Sequence, residues 1–118
     1  MNRKSTNKNL DKTILNKIKQ IILSIAKHYK IEIDKLILFG SRARGDYKPN
    51  SDWDILIVTK DKLLKELEDE FWVMCNRKLY DMLRASFDIL IIDKNSYEKK
   101  SRYLDEVYYY AKKEGIKI

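Results

Sequence analysis

The first third of the chain carries its apolar residues at helical spacing. From about residue 11 to 30 they recur every three or four positions, which places them on one stripe of an amphipathic helix. The stripe consists of Ile14, Ile18, Ile21, Ile22, Ile25 and Tyr29. Residues 1–10 are polar, rich in Lys and Asn and without an apolar period. We therefore expect a flexible basic tail over 1–10 and a helix after it.

Three short apolar runs follow, and each has the length of a buried strand. The runs span residues 36–39, 54–58 and 87–92, and the second is rich in β-branched residues, which favour strands. Helical spacing returns between the second and third runs, over residues 61–83, where Asp61 is placed to cap the helix start.

After the third run, helical spacing resumes at Asn95 or Ser96 and continues to Lys113. Ser101 marks a predicted break, and Gly115 is the expected stop. The predicted order is helix, strand, turn, strand, helix, strand, helix. That order predicts a fold of the α/β (α+β) class, in which helices flank a small mixed β-sheet. A length of 118 residues fits one domain, which we expect to span residues 11–118.

The net charge of +7 is concentrated near the N-terminus. Of 25 basic and 18 acidic residues, nine and three lie in residues 1–35, which leaves 16 and 15 for the rest. No aromatic residues interleave with the bases there, so a solvated helix face is favoured over direct nucleic-acid binding. No apolar run approaches the ~18 residues of a membrane span, and no secretory signal follows the N-terminus. We therefore expect a cytoplasmic protein that does not enter membranes.

The single cysteine, Cys75, and the single histidine, His28, limit the possible chemistry. Neither a cysteine metal cluster nor a histidine-rich metal site can be built from them, and a Ser-His-Asp triad is disfavoured. Any metal must therefore be held by oxygen atoms.

Special backbone positions cluster between residues 40 and 49, which hold Gly40, Gly45 and the only proline, Pro49. Gly40-Ser41 directly follows a predicted strand, where a glycine lets a phosphate approach the backbone. Arg42 and Arg44 add positive charge beside it. The spacing fits neither a Walker A loop nor a dinucleotide fingerprint. Taken alone, Gly40-Ser41 after a strand is a weak signal, because such a pair is more often an ordinary turn.

Carboxylates open the next two strands. Asp52 and Asp54 are separated by one residue, so on a strand they point to the same face, whereas Trp53 points to the other and is expected to be a packing residue. Such a pair suits Mg²⁺, although an exposed turn would also explain it. Asp88 enters the third strand, where a charge is costly unless it is paired or metal-bound. Together with the preceding turn, three convergent carboxylates are what two-metal nucleotidyl transfer requires.

The sequence Gly40-Ser41, ten residues, then Asp52-Trp53-Asp54 resembles the signature of the polymerase-β-like nucleotidyltransferase superfamily, and the small size resembles its minimal (MNT) members. The resemblance extends over residues 11–118 and implies the nucleotidyltransferase fold. It implies that the triphosphate of ATP is bound by Gly40, Ser41, Arg42 and Arg44. It also implies that two Mg²⁺ ions are held by Asp52, Asp54 and Asp88, and that Asp88 activates the acceptor hydroxyl.

The resemblance further implies a partner, because minimal members pair with HEPN-family toxins. The expected activity is transfer of AMP from ATP to a tyrosine hydroxyl of such a toxin, which would make the chain a type VII antitoxin. One alternative is a small-molecule nucleotidyltransferase whose acceptor site forms at a homodimer interface. The other is a non-catalytic nucleotide-binding antitoxin that occludes its partner. The tyrosines of the last helix are expected to divide between interface and core: Tyr103, Tyr108, Tyr109 and Tyr110.

Overall fold

A four-stranded mixed sheet forms the centre of the computed structural model, which describes residues 2–104 and 106–118, with side chains from residue 12 onward. The elements in chain order are α1 (Asn2–His28), β1 (Ile33–Phe39), α2 (Ser41–Arg44), β2 (Trp53–Thr59), α3 (Lys65–Leu83), β3 (Phe87–Asp93), α4 (Lys94–Lys100), α5 (Val107–Glu114) and β4 (Ile116–Lys117). The strand order is β3-β2-β1-β4. β1 is antiparallel to β2 and β4, whereas β2 and β3 are parallel. The predicted fold class is confirmed.

The side chains of β2 alternate between two apolar clusters, because successive residues of a strand face opposite sides of the sheet. Ile55 and Ile57 pack into the cluster formed with α1 and α3. Leu56 and Val58 pack into a smaller cluster with Tyr97 of α4 and Ala111 of α5. All four β2 side chains are fully buried. β2 is therefore fixed from both faces, and so are the residues at its start.

Two helices begin at positions that differ from the prediction. α1 begins at Asn2, so residues 2–10, expected to be a tail, are helical here, while Met1 lies outside the described residues. The flexibility of 1–10 stays a prediction. α3 begins at Lys65 rather than at Asp61, and the capping role of Asp61 is wrong. The Asp61 carbonyl instead accepts a 2.7 Å hydrogen bond from the Thr59 hydroxyl, which holds it in the turn that leaves β2.

The predicted break near Ser101 is confirmed, because α4 ends at Lys100 and α5 begins at Val107. The tyrosines around this break divide between core and surface. Tyr108 packs against the smaller apolar cluster, whereas Tyr103 and Tyr110 are exposed. Among the residues that the structure describes, no helix is both long and apolar enough to cross a bilayer.

Gly115 ends α5, as predicted, and leads into β4, a strand that the sequence did not predict. A two-residue strand has too few positions to show an alternating pattern. The structure identifies it by its pairing, Leu38 with Ile116 and Ile37 with Lys117. A Cβ on Gly115 would collide with the carbonyl oxygen of Ala111 and with Cγ2 of Ile37. Glycine is thus required here for space, since its φ of −73° is available to any residue.

We expect Gly115→Ala to lower the free energy of unfolding by about 2 kcal/mol, because the new methyl group must displace either the end of α5 or β1. Urea unfolding followed by circular dichroism measures the loss. Lys113→Ala, at an exposed position of α5, is the control and should change stability by less than ~0.5 kcal/mol. Equal unfolding midpoints for the two variants would contradict a close approach at Gly115.

Candidate active site

The ends of three strands meet at one edge of the sheet. β2 and β3 are parallel and start together, and their register places Asp54 directly opposite Asp88. β1 runs the other way, so it ends where they begin, with Phe39 paired to Asp54. Gly40 follows immediately. The topology therefore brings the predicted turn and two of the predicted carboxylates to the same place, although Asp54 and Asp88 are far apart along the chain.

The carboxylate of Asp54 lies against the backbone of Gly40. A Cβ on Gly40 would collide with Oδ2 of Asp54 and would lie 3.0 Å from its Cγ. Gly40 also has φ +74° and ψ −158°, a conformation that is essentially restricted to glycine. Its carbonyl accepts hydrogen bonds from the amides of Ala43 and Arg44 at 3.1 and 3.0 Å, which start α2. Glycine is thus required at this position by both space and backbone conformation.

Burial and neighbouring charges raise the pKa of Asp54 from 3.8 to about 6. Desolvation is the largest cause, the negative charges of Asp88 and Asp52 add to it, and the positive charge of Arg44 opposes it. Asp52, Asp88 and Arg44 therefore lie close enough to Asp54 for their charges to act on its carboxylate. Such mutual repulsion is relieved when a cation binds between the carboxylates.

Arg44 connects the site to the last helix. Its Nε lies 3.3 Å from Oδ2 of Asp46, and its Nη1 lies 3.7 Å from Oε1 of Glu114 in α5. The side chain is 43% exposed, so its guanidinium is accessible to a ligand. Glu114 is a neighbour of the site that the sequence analysis missed, because it lies 70 positions after Arg44 and only the packing of α5 brings it there.

Arg42 and Trp53 occupy the opposite side of the sheet from Asp54. Trp53 is buried in the cluster with α1 and α3 and stacks on Phe87 at 6.4 Å, which confirms that it is a packing residue. The Arg42 guanidinium lies 4.4 Å from the centre of the Trp53 ring and 4.3 Å from that of Tyr47. The structure thus places Arg42 beside packing residues, whereas the resemblance implied that it binds the triphosphate. Tyr47 was missed because it forms part of no spacing pattern.

The donor set at the sheet edge fits magnesium. Within the described part of the chain, no group of three or more His, Cys, Asp or Glu side chains is arranged to hold a metal ion. Mg²⁺ is usually held by only one or two carboxylates, with water and substrate phosphates completing its shell. Asp54, with its raised pKa and close negative neighbours, supplies that kind of donor. Asp52 and Asp88, both exposed, are the other candidates.

Comparison with known proteins bears on the whole domain rather than on single residues. Residues 6–113 match the family model described as polymerase beta, nucleotidyltransferase. A Methanocaldococcus jannaschii protein that is named as a protein adenylyltransferase, MJ0141, is 35% identical over 100 residues, which cover 83% of this chain and 95% of that protein.

Two solved structures share the fold. One is named a minimal nucleotidyltransferase and superposes with a TM-score of 0.56 at 18% identity, over 89% of this chain and 92% of its own. The other comes from a toxin–antitoxin complex with AMP-PNP and superposes with a TM-score of 0.50 at 22% identity, over 83% of this chain and 69% of its own. The match of the family model over most of the chain, together with the sheet topology, shows that this protein belongs to the polymerase-β-type nucleotidyltransferase family.

Proposed function

We propose that the protein transfers AMP from ATP to a hydroxyl group in the cytoplasm, with two Mg²⁺ ions, and that the acceptor is a tyrosine of a HEPN-family partner. The observation that carries this proposal is the position of the Asp54 carboxylate, between Asp88 on the next strand and the backbone of Gly40. A metal held by these carboxylates would lie beside the turn that the triphosphate is proposed to approach.

In the proposed reaction, the acceptor oxygen bonds to the α-phosphorus of ATP while the bond from that phosphorus to the bridging oxygen breaks, and pyrophosphate leaves. Asp88 receives the proton of the hydroxyl. Gly40 and Ser41 lie against the triphosphate, and Arg44 supplies positive charge near the phosphate oxygens. Bound magnesium would neutralise phosphate charge and make the hydroxyl a better nucleophile. Asp52 and Asp54 are the proposed metal ligands, and Asp88 lies opposite Asp54 on the neighbouring strand.

Two features support a protein acceptor over a small molecule. The relative named as a protein adenylyltransferase aligns over nearly its whole length. In addition, apolar side chains are exposed along the break and α5, the helix that reaches the site through Glu114. These residues are Tyr103, Leu104, Val107 and Tyr110. They lie on the break and the first half of α5, and exposed apolar and aromatic side chains are typical of protein interfaces.

We expect Asp52→Asn/Asp54→Asn to abolish adenylyl transfer, because the proposed metal ligands lose their charge. The measurement is label transfer from α-phosphate-labelled ATP with Mg²⁺ and a lysate of the source organism, followed by separation of protein, RNA and small molecules. Asp81→Asn, at an exposed position of α3, is the control and should retain activity.

The fraction that carries the label distinguishes the candidate functions. A labelled protein band that is absent with the double variant supports protein adenylylation and provides the partner for identification. Label in a small molecule would favour the small-molecule transferase. No label in any fraction, combined with neutralisation of the partner by the double variant, would favour an antitoxin that acts by binding alone.

We expect Gly40→Ala to reduce adenylyl transfer at least a hundredfold, since the new methyl group must displace the Asp54 carboxylate. Gly45→Ala is the control for a methyl group at positive φ, +92°, where no atom lies within 4 Å of the would-be Cβ. That variant should lose about 1 kcal/mol of stability through backbone strain and retain most of its activity. Equal activity losses in both variants would indicate that strain, rather than the contact with Asp54, explains the effect.

The raised pKa of Asp54 predicts a pH-dependent difference in stability between wild type and Asp54→Asn in metal-free buffer. The folded wild type holds this proton more tightly than the unfolded chain, so its stability falls as pH rises from about 4 to about 6. The Asp54→Asn variant does not lose stability in this way, because asparagine carries no proton that titrates over this range. Between pH 4 and pH 7 the wild type should therefore lose about 1 kcal/mol of unfolding free energy relative to Asp54→Asn, after solvent screening of the partly exposed carboxylate.

Thermal unfolding in EDTA across this pH range measures the difference. Asp81→Asn should follow the wild type at every pH. A constant difference between wild type and Asp54→Asn would mean that Asp54 titrates as it does in the unfolded chain, and that the carboxylates are not in close electrostatic contact.

A further inference from the structure

Arg42 makes three contacts with the segment that connects α2 to β2 and a fourth with Trp53, the first residue of β2. Its guanidinium carbon lies 4.3 Å from the centre of the Tyr47 ring and 4.4 Å from that of the Trp53 ring. Its Nη2 donates hydrogen bonds to the carbonyl of Pro49 at 3.2 Å and to that of Ser51 at 3.0 Å. All four contacts join α2 to residues 47–53. This one side chain therefore links the region after Gly40-Ser41 to the region around Asp52.

The segment itself contains a closed turn. The Lys48 amide donates to the Ser51 hydroxyl at 2.8 Å, and the Ser51 amide donates to the Lys48 carbonyl at 2.9 Å. These bonds shape the turn but do not attach it to the rest of the molecule. Arg42 supplies an attachment, through the two carbonyls and the two rings. Asp52 lies directly between Ser51 and Trp53, which are both contacts of Arg42.

The three carboxylates differ in how they are held. Asp54 and Asp88 lie inside paired strands, where the ladder between β2 and β3 fixes their spacing. Asp52 precedes β2, and the contacts of Ser51 and Trp53 therefore determine its position. Trp53 also receives support from the sheet side, because its amide donates to the Ser86 carbonyl at 3.0 Å. On the loop side, the contacts come from Arg42.

The Arg42 guanidinium is engaged by two carbonyls and two aromatic rings in this arrangement. The Nε of Arg42 is buried without a hydrogen-bond partner in the described residues. A planar guanidinium can stack between two rings while it donates to carbonyls in its own plane. The ammonium of a lysine has no flat face for such stacking, so Arg42→Lys preserves the charge and removes this geometry.

We propose that Arg42 is a positioning residue, which places Asp52 for metal binding by holding the loop of residues 46–51 against α2. The effect on metal and nucleotide rests on the proposed function, whereas the hold on the loop does not. Loss of Arg42 leaves the pairing of Asp54 with Asp88 intact and releases Asp52. A residue that orients a metal ligand typically affects metal affinity by 10–100-fold.

Amide hydrogen exchange tests the hold on the loop without metal or nucleotide. In Arg42→Lys and Arg42→Ala, the amides of Lys48 and Ser51 should exchange at least tenfold faster than in wild type. The amides of α1 and β3 should exchange as in wild type, which shows that the variants are folded. If Arg42→Ala does not fold, Arg42→Lys, which keeps the positive charge, still tests the hold on the loop. Arg77→Lys, at an exposed position of α3, is the control and should exchange like wild type.

Affinity for the Mn²⁺ complex of a non-hydrolysable ATP analogue tests the consequence for the site. We expect a loss of about tenfold in Arg42→Lys and none in Arg77→Lys. Unchanged loop exchange would overturn the proposal: if affinity still falls, Arg42 contacts the nucleotide directly. Faster loop exchange with unchanged affinity would also overturn it, because Asp52 would then not depend on the loop. If the wild type itself does not bind the complex, the proposed function fails, and the exchange data still decide whether Arg42 holds the loop.

Discussion

Like charges are brought together at the start of two parallel strands, and much of this small structure keeps them there. Burial, followed by the negative charge of Asp88 on the paired strand, raises the pKa of Asp54, so the two like charges repel each other there. The pairing persists because β2 is held by packing on both faces. Four successive side chains from Ile55 to Val58 are fully buried, two on each face of the sheet. Hydrophobic packing in the middle of the strand thus stabilises a repulsive arrangement at its end, which a bound cation would relieve.

The sequence contained most of the fold and of the carboxylate cluster. Period-two alternation placed Asp52 and Asp54 on one face, and the short apolar runs marked the three main strands. A glycine after the first strand indicated a close approach to the backbone. What the sequence did not contain is the identity of the atom that approaches Gly40, which is the carboxylate of Asp54 itself. Strand register determines that contact, and no local pattern specifies register between distant segments.

The differences from prediction have physical causes at particular residues. Asp61 has a side chain suited to capping a helix, but its carbonyl accepts a hydrogen bond from Thr59 in the turn that leaves β2. The negative charge near the start of α3 comes from Glu66 and Glu68 instead. For Arg42, the resemblance implies a role in binding the triphosphate, and the structure adds contacts that the sequence did not predict. Its contacts with Tyr47 and Trp53 depend on how the loop folds back, which is a tertiary property. Local propensity indicates what a side chain is able to do, and packing selects among those roles.

The parallel pairing of β2 with β3 also has a consequence for the order in which the site is assembled during folding. β1 and β2 are adjacent in sequence and antiparallel, so Gly40 and Asp54 can meet through a short loop. Asp88 lies 34 positions after Asp54. Parallel strands pair only after a crossover connection, which is α3 in this chain. Contacts between distant positions close slowly because the intervening chain must first be ordered. We therefore expect the third carboxylate to join last, after the glycine turn and the first two acids have come together.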